Sequence, residues 1–190
     1  MIEIVGEFHR TRPESPGISA EQLYEPSRLR KDVFDGLVSR LLAKGKLIEK
    51  KHRIALPEHC EEFSQSEREL LSCVESLFKS RLFNPPQVQE VVETTVISPE
   101  KADKILRILI EQERLVQVEK DLLFHTEAIE KARQILTSFI NKEGRLESVK
   151  FKYLLDTTRK FAIPLLDYFD RVGVTRRAGN TRYLKSPPVG

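Results

Sequence analysis

Residues 162–184 read "AIPLLDYFDRVGVTRRAGNTRYL". Apolar side chains recur every three or four residues as far as Val172, which predicts an amphipathic helix that stops at Gly173. Two short segments of strand-forming residues follow, "VTRR" and "TRYL", on either side of the turn sequence "AGN". The stretch therefore predicts a helix followed by a β-hairpin.

This unit of a helix and a hairpin occurs three times in the chain. The other copies are "FDGLVSRLLAKGKLIEKKHRIAL" at residues 34–56 and "ADKILRILIEQERLVQVEKDLLFH" at residues 102–125. Val33, just before the first of these copies, and Leu37 and Leu41 within it have the spacing of one apolar helix face. Apolar spacing and proline positions predict two further helices before each copy.

Three helices followed by a hairpin form the winged-helix arrangement, a helix-turn-helix with a β-hairpin appended. The sequence therefore predicts a mainly α fold with small β-hairpins, as a tandem array of three winged-helix modules over residues 1–63, 64–125 and 126–190. A plain helical bundle is the alternative, and the repeated hairpin argues against it. Because the first helix has little before it, we expect the chain to be a piece of a longer protein.

Local features add smaller predictions. Asn84 precedes two prolines and is placed to cap the helix that follows. Cys73 lies among leucines at helical spacing and is expected in the core. His59 and Cys60 could be a metal-ligand pair, but no second pair at zinc spacing exists. We therefore expect both to be surface residues in a linker, with no metal and no cofactor.

Composition narrows the functional class. The chain of 190 residues has two cysteines outside any CxxC pair, which favours reduced thiols and a cytoplasmic location. It has no run of about eighteen apolar residues, so we expect no membrane span. The four histidines are scattered and the phosphate-loop motif GxxxxGKS/T is absent, so we do not expect this chain to be an enzyme.

Charge is distributed unevenly along the chain. Residues 1–63 contain eleven basic and eleven acidic side chains, and residues 64–125 contain eight basic and eleven acidic. Residues 126–190 contain thirteen basic and seven acidic side chains, a net charge of +6 in a chain whose total is +3. The last module is therefore the candidate surface for a polyanion, and the other two fit spacers or protein contacts.

Two basic clusters lie in the last module. "DTTRK" begins the third helix, where a threonine hydroxyl could cap the helix and free backbone N–H groups beside two cations suit a phosphate. The second cluster is the hairpin, whose Gly-Asn turn allows close approach. With two lysines of the preceding short helix, the clusters are expected to form one positive face. Its candidate residues are Lys150, Lys152, Thr157, Thr158, Arg159, Lys160, Arg176, Arg177, Gly179, Asn180 and Arg182.

Other interpretations of these residues stay open. Arg159 and Lys160 could be solvated surface residues, since cations at a helix N-terminus oppose its dipole. At most one of Arg176 and Arg177 can pack inward, because neighbouring residues of a strand point to opposite faces.

Residues 152–184, "KYLLDTTRKFAIPLLDYFDRVGVTRRAGNTRYL", resemble the C-terminal end of the bacterial selenocysteine-specific elongation factors, the SelB family. The segments "LLDTTRKFAIPLLDYFDR" and "GVTRRAGNTRYL" carry the resemblance most specifically. "EFHRTRPESPGISAEQL" at residues 7–23 resembles an earlier winged helix of the same family. The resemblance covers nearly the whole chain, strongly in the last forty residues and weakly through the middle.

The resemblance implies a function. In this family an N-terminal GTPase region binds selenocysteyl-tRNA, and four winged helices follow. The last one grips the loop of an mRNA hairpin, the selenocysteine insertion (SECIS) element, and so tethers the factor to a UGA codon that is read as selenocysteine. The chain would be the last three of the four, with RNA contacts at the candidate residues of the third helix and hairpin. GTP and selenocysteyl-tRNA would bind only the missing part, and the ribosome would be a partner of the whole factor.

A tandem winged-helix DNA-binding transcription regulator is the main alternative. Asp167 and Asp170, on later turns of the third helix, would repel a DNA backbone, whereas RNA is usually read at unstacked loop bases and nearby phosphates. A protein-interaction array is a second alternative. It fits the first two modules but not the charge of the last.

Overall fold

The computed structural model describes residues 1–60 and 63–185. Contacts divide the chain into two compact units, Met1–Leu70 with Arg107–Glu113, and Leu71–Leu106 with Arg114–Gly190. Within the described ranges, none of the helices combines the length and the apolar character that crossing a bilayer requires.

Groups of helices and antiparallel hairpins follow one another in the predicted order, and the short strand Leu146–Glu147 is an addition that was not predicted. The helices are α1 (Ile2–Thr11), α2 (Ala20–Ser27), α3 (Lys31–Ala43), α4 (Gln65–Ser80), α5 (Val88–Thr95), α6 (Pro99–Glu111), α7 (Thr126–Glu143), α8 (Ser148–Leu154) and α9 (Arg159–Arg171). The strands are β1 (Ile48–Lys50), β2 (Arg53–Ala55), β3 (Leu115–Glu119), β4 (Leu122–His125), β5 (Leu146–Glu147), β6 (Thr175–Ala178) and β7 (Thr181–Leu184). Three helices and a hairpin therefore occur three times, which confirms the predicted mainly α winged-helix array. The predicted module boundaries stay a prediction.

The hairpins pair β1 with β2, β3 with β4, and β6 with β7. In the last one, Arg177 lies opposite Arg182, and the turn consists of Gly179 and Asn180. Strand β5 pairs with the other edge of β7, so that Leu146 also lies opposite Arg182. This makes β7 the central strand of a three-stranded sheet.

The first unit has its own core, in which Val5, Leu23, Phe34, Leu47 and Ile54 are buried. The buried face of α3 contains Phe34, which is 1% exposed, whereas Val33 is 44% exposed. The predicted face through Val33 was therefore wrong by one position. Both residues are apolar, and the larger ring gains more by burial.

The second unit has a core shared by the hairpin β3–β4 and the helices α7, α8 and α9. It includes Val118, Phe124, Leu136, Phe151 and Leu165. The guanidinium of Arg171, at the end of α9, also donates to the carbonyl of Val118 at 2.8 Å. The hairpin β3–β4 is thus packed against the helix that carries the first basic cluster.

His125 fixes the start of α7. Its Nδ1 accepts the N–H of Glu127 at 3.1 Å, so its Nε2 must carry the proton that is donated to Glu75 at 3.2 Å. Burial alone would raise the pKa of Glu75. Hydrogen bonds from Lys79 and His125 and the charge of Arg114 outweigh burial and lower this pKa.

Two of the smaller predictions were wrong. Asn84 does not cap α5, because Gln87 is the N-cap residue and its N–H donates to the carboxylate of Glu90 at 2.8 Å. Cys73 is exposed rather than in the core. The buried face of α4 contains Leu71, Val74 and Phe78, so Cys73 lies one position away from it.

His59 is not a free surface residue. Its ring stacks on that of His9 with centroids 3.5 Å apart, and its Nε2 lies 2.8 Å from the carbonyl oxygen of Ser15. Cys60 is exposed, as expected. Among the residues that the structure describes, no group of three metal-ligating side chains comes together.

Candidate nucleic-acid interface

The first basic cluster lies where α9 begins. Thr158 is the N-cap residue, and its backbone carbonyl accepts the N–H groups of Phe161 and Ala162. Its hydroxyl makes no capping hydrogen bond, so the predicted side-chain cap is not formed. Arg159 and Lys160 are exposed in the first turn.

The second basic cluster lies on β6 and the turn of the last hairpin. Arg176 and Arg177 are both exposed, so neither packs inward. Arg176 lies over the ring of Tyr183 at 4.9 Å, whereas Arg177 donates through Nε to the carbonyl of Gly179 at 2.9 Å. Gly179 has φ +61°, which strains any residue with a side chain.

Arg182 has a different place from the other candidate residues. Its side chain is 1% exposed and is held by two carboxylates of α9, Asp167 at 2.6 Å and Asp170 at 3.1 Å. It also donates to the hydroxyl of Ser148 at the start of α8. Arg182 therefore joins the hairpin to both helices instead of lying on the surface.

These pairs change the interpretation of the two aspartates. Asp170 accepts a second hydrogen bond, from the hydroxyl of Thr175 at 2.6 Å, and Asp167 also lies 3.7 Å from the guanidinium of Arg177. As free charges, both carboxylates would repel a DNA backbone. In the structure they are neutralised by arginines, so this argument against DNA does not hold.

Members of the two clusters meet in one cleft. It has a volume of about 550 Å³ and is lined by Arg159 from α9 and by Arg177 and Asn180 from the hairpin. The start of α8 closes one side, because the N–H and hydroxyl of Ser148 both donate to the carbonyl of Asn180 at 2.9 Å. We call this space the α8–α9–hairpin cleft.

The buried Arg182 also lines this cleft. Five further lining residues were not among the sequence candidates: Glu147, Ser148, Val149, Ile163 and Thr181. Val149 and Ile163 give the cleft an apolar part, and both belong to the periodic apolar pattern of their helices. Nothing in the sequence distinguishes them from core residues.

The remaining candidates lie outside the cleft. Lys150 is exposed on α8, and the Nζ of Lys152 lies 4.4 Å from the ring centre of Tyr153. The hydroxyl of Thr157 lies 2.7 Å from the carbonyl oxygen of Phe83 and 2.8 Å from the Oδ1 of Asn84. Thr157 thus contacts the loop between α4 and α5.

Lys160 also faces that part of the unit. The pKa of Glu90 on α5 is lowered, chiefly because its carboxylate accepts the N–H of Gln87, and further by Arg81 and by the charge of Lys160. The start of α9 therefore has two sides. Arg159 lines the cleft, whereas Thr157 contacts the loop before α5 and the charge of Lys160 acts on Glu90 of α5.

Two separate parts of the chain match models of known protein families. Two family models, both described as "Elongation factor SelB, winged helix", match residues 2–56 and 138–184. Together these ranges span more than half of the chain, and each ends just after a hairpin. The second range contains the whole α8–α9–hairpin cleft.

Curated relatives extend the match to nearly the whole chain. The selenocysteine-specific elongation factors of Desulfomicrobium baculatum and Escherichia coli are each 25% identical to it, over 186 and 189 residues, and each match covers 97% of the chain. These ranges are only 29% and 30% of the relatives' lengths, so the chain spans less than a third of the proteins it matches.

Two solved structures are similar in fold. One is the mRNA-binding domain of Escherichia coli elongation factor SelB in complex with SECIS RNA, with a TM-score of 0.58, 27% identity and coverage of 65% of this chain and 100% of that one. The other is a bacterial selenocysteine-specific elongation factor EF-Sec, with a TM-score of 0.52, 19% identity and coverage of 96% of this chain and 28% of that one.

These matches favour an elongation factor over a transcription regulator, and they confirm the resemblance found in the sequence. The chain therefore belongs to the SelB family of elongation factors and carries winged-helix domains of that family.

Proposed function

We propose that the chain is the mRNA-binding part of a selenocysteine-specific elongation factor, and that its last winged helix binds the loop of a SECIS hairpin. One observation carries this proposal: side chains of both basic clusters line a single cleft within residues 138–184. The similarity to a domain solved in complex with SECIS RNA supports it.

The chemistry of the cleft suits an RNA loop. Arg159 and Arg177 offer guanidinium groups that can bind phosphates in a bidentate manner. Asn180 offers an amide that can both donate and accept at a base edge. Because sequence-specific proteins usually read RNA at unpaired bases, a concave site with cations at its edge fits a loop better than a stem.

The ion pairs of the buried Arg182 keep this cleft in shape. They hold β7 against α9, and a hydrogen bond to Ser148 holds it to α8, so the backbone that carries Arg159 and Arg177 is in place before RNA binds. Such preorganisation lowers the entropy cost of association. The hairpin β3–β4, which packs against α9, supports the same helix from the other side.

The chain spans less than a third of the curated relatives it matches. We propose that it is part of a longer factor, in which GTP and selenocysteyl-tRNA bind residues outside this chain, and that the whole factor acts on the ribosome in the cytoplasm. The chain itself would tether the factor to mRNA and would catalyse no reaction.

Charge-matched variants of the chain test the site. Arg159→Gln with Arg177→Gln removes two charged contacts and should weaken binding of a SECIS hairpin by about tenfold or more, measured by fluorescence anisotropy. Lys131→Gln with Lys142→Gln removes the same charge from α7, outside the cleft, and should change the affinity far less. Equal losses from the two double variants would mean that only net charge matters.

A further inference from the structure

Helix α8 exposes two large side chains on one face. Val149 is 44% exposed and Tyr153 is 67% exposed. Residues four apart in a helix lie one above the other, so these two form a continuous strip. Val149 lines the α8–α9–hairpin cleft, and Tyr153 therefore lies one helical turn beyond it.

Tyr153 is not part of the hydrophobic core of the second unit. Helix α8 is anchored by Phe151 and its C-cap by Leu155, which are 0% and 3% exposed and belong to the core of the second unit. Phe161 and Tyr168 of α9 pack against that same core. Tyr153 is the aromatic side chain near the cleft that remains mostly in solvent.

One cation lies beside the exposed ring, and others lie on the same helix and in the neighbouring cleft. The Nζ of Lys152 lies 4.4 Å from its centre, and Lys150 is exposed on the same helix. Arg159 lines the neighbouring cleft. An exposed aromatic ring among cations is the combination that binds single-stranded nucleic acid, because bases stack on the ring while the cations hold the backbone.

We propose that Tyr153 is a stacking platform for an unpaired nucleotide of the RNA that occupies the cleft. Lys152 holds the adjacent phosphate, and the strip from Val149 to Tyr153 extends the binding surface along α8. This inference rests on the proposed function, because it needs a single-stranded segment to enter the cleft. It adds a recognition residue that charge counting does not find.

Substitutions at position 153 test stacking through the affinity for the SECIS hairpin. Tyr153→Ala should weaken SECIS hairpin binding by about 5- to 150-fold, the range for loss of one base–aromatic stack. Tyr153→Phe should stay within about twofold, because stacking needs the ring and not the hydroxyl. Val172→Ala is the matched control: Val172 is 51% exposed just after the other end of α9, and its loss should leave the affinity unchanged.

A fluorescent base locates the contact. 2-Aminopurine placed at each unpaired position of the hairpin in turn should be quenched on binding at one position, and that quenching should vanish with Tyr153→Ala but persist with Tyr153→Phe. If Tyr153→Ala binds as tightly as the wild type and no quenching depends on residue 153, the inference is wrong. If the wild type itself does not bind the hairpin, the proposed function fails instead.

Discussion

The buried Arg182 and the partly buried Asp170 form an ion pair that joins the last hairpin to α9. The Nε of Arg182 lies 3.1 Å from Oδ2 of Asp170, and the arginine side chain is 1% exposed. The other oxygen of Asp170 accepts the hydroxyl of Thr175 at the start of β6. A single carboxylate on α9 thus holds both strands of the hairpin that borders the cleft.

Arg182→Gln should lower the free energy of unfolding by roughly 1.5–3 kcal/mol. The variant loses the charge-assisted hydrogen bonds of the buried guanidinium to Asp167 and Asp170, which are themselves partly exposed. Urea unfolding followed by circular dichroism measures the change. Arg176→Gln, on the exposed side of β6, is the control and should stay within about 0.5 kcal/mol of the wild type.

Arg182 holds β7 against α8 and α9, so its contribution to RNA binding should be indirect. The more conservative Arg182→Lys should recover part of the stability and part of the RNA affinity together. RNA binding that is lost in a variant with unchanged stability would contradict this and would make Arg182 a direct contact.

Arg177→Gln should reduce the salt dependence of RNA binding. Each phosphate contact contributes about 0.7 to 0.9 to the slope of log affinity against log salt concentration, so the loss of one contact should lower the slope by that amount. Anisotropy titrations over a range of potassium chloride concentrations measure it. A weaker affinity with an unchanged slope would assign Arg177 to a base instead of a phosphate.

Thr157 and Thr158 are adjacent but should behave differently. Thr157→Val removes the hydroxyl that lies 2.7 Å from the carbonyl oxygen of Phe83, and it should cost about 0.5–1.5 kcal/mol of stability. Thr158 is exposed and its hydroxyl makes no cap, so Thr158→Val should cost less. If only Thr158→Val weakens hairpin binding, Thr158 is the threonine that faces the RNA.

His9 should make the first unit sensitive to acid. Burial lowers the pKa of His9 from 6.5 to about 4, the charge of His59 adds to this, and Glu58 opposes it. Between these two pKa values the unfolded chain binds more protons at His9 than the folded chain. The free energy of unfolding should therefore fall as the pH is lowered through this window, by about 2 kcal/mol between pH 7 and pH 5.

His9→Gln isolates this contribution. The variant cannot titrate at this position, so its unfolding free energy should depend less on pH between 7 and 5 than that of the wild type. Hydrogen exchange gives a second readout, because the N–H of Leu56 donates to Nε2 of His9 at 3.2 Å. Equal pH dependence of the two proteins would show that folding does not lower the pKa of His9.

The sequence predicted the regular elements well because their signals are local. The spacing of apolar residues predicted the helices, and Gly173 marked the end of α9, which runs to Arg171 with Val172 as its C-cap residue. Where two apolar residues are adjacent, as Val33 and Phe34 are, the spacing alone did not show which of them is buried. Cys73 shows the same error of one position.

The candidate site was harder to predict because its pairings are not local. Fifteen positions separate Arg182 from Asp167, and seventy-four separate Thr157 from Phe83. From composition alone, all these side chains look like exposed charged or polar residues. Only the fold shows that Arg182 is neutralised inside the module, whereas Arg159 and Arg177 are left at the edge of a cleft.

The central claim is that the last winged helix reads the loop of an RNA hairpin. The most direct measurement is an anisotropy titration of the 190-residue chain with a SECIS hairpin, with the same stem carrying a scrambled loop, and with a DNA duplex of equal length, all at one salt concentration. We predict tight binding to the native loop and much weaker binding to the other two. Equal affinity for all three would contradict the claim and leave only a generic positive surface.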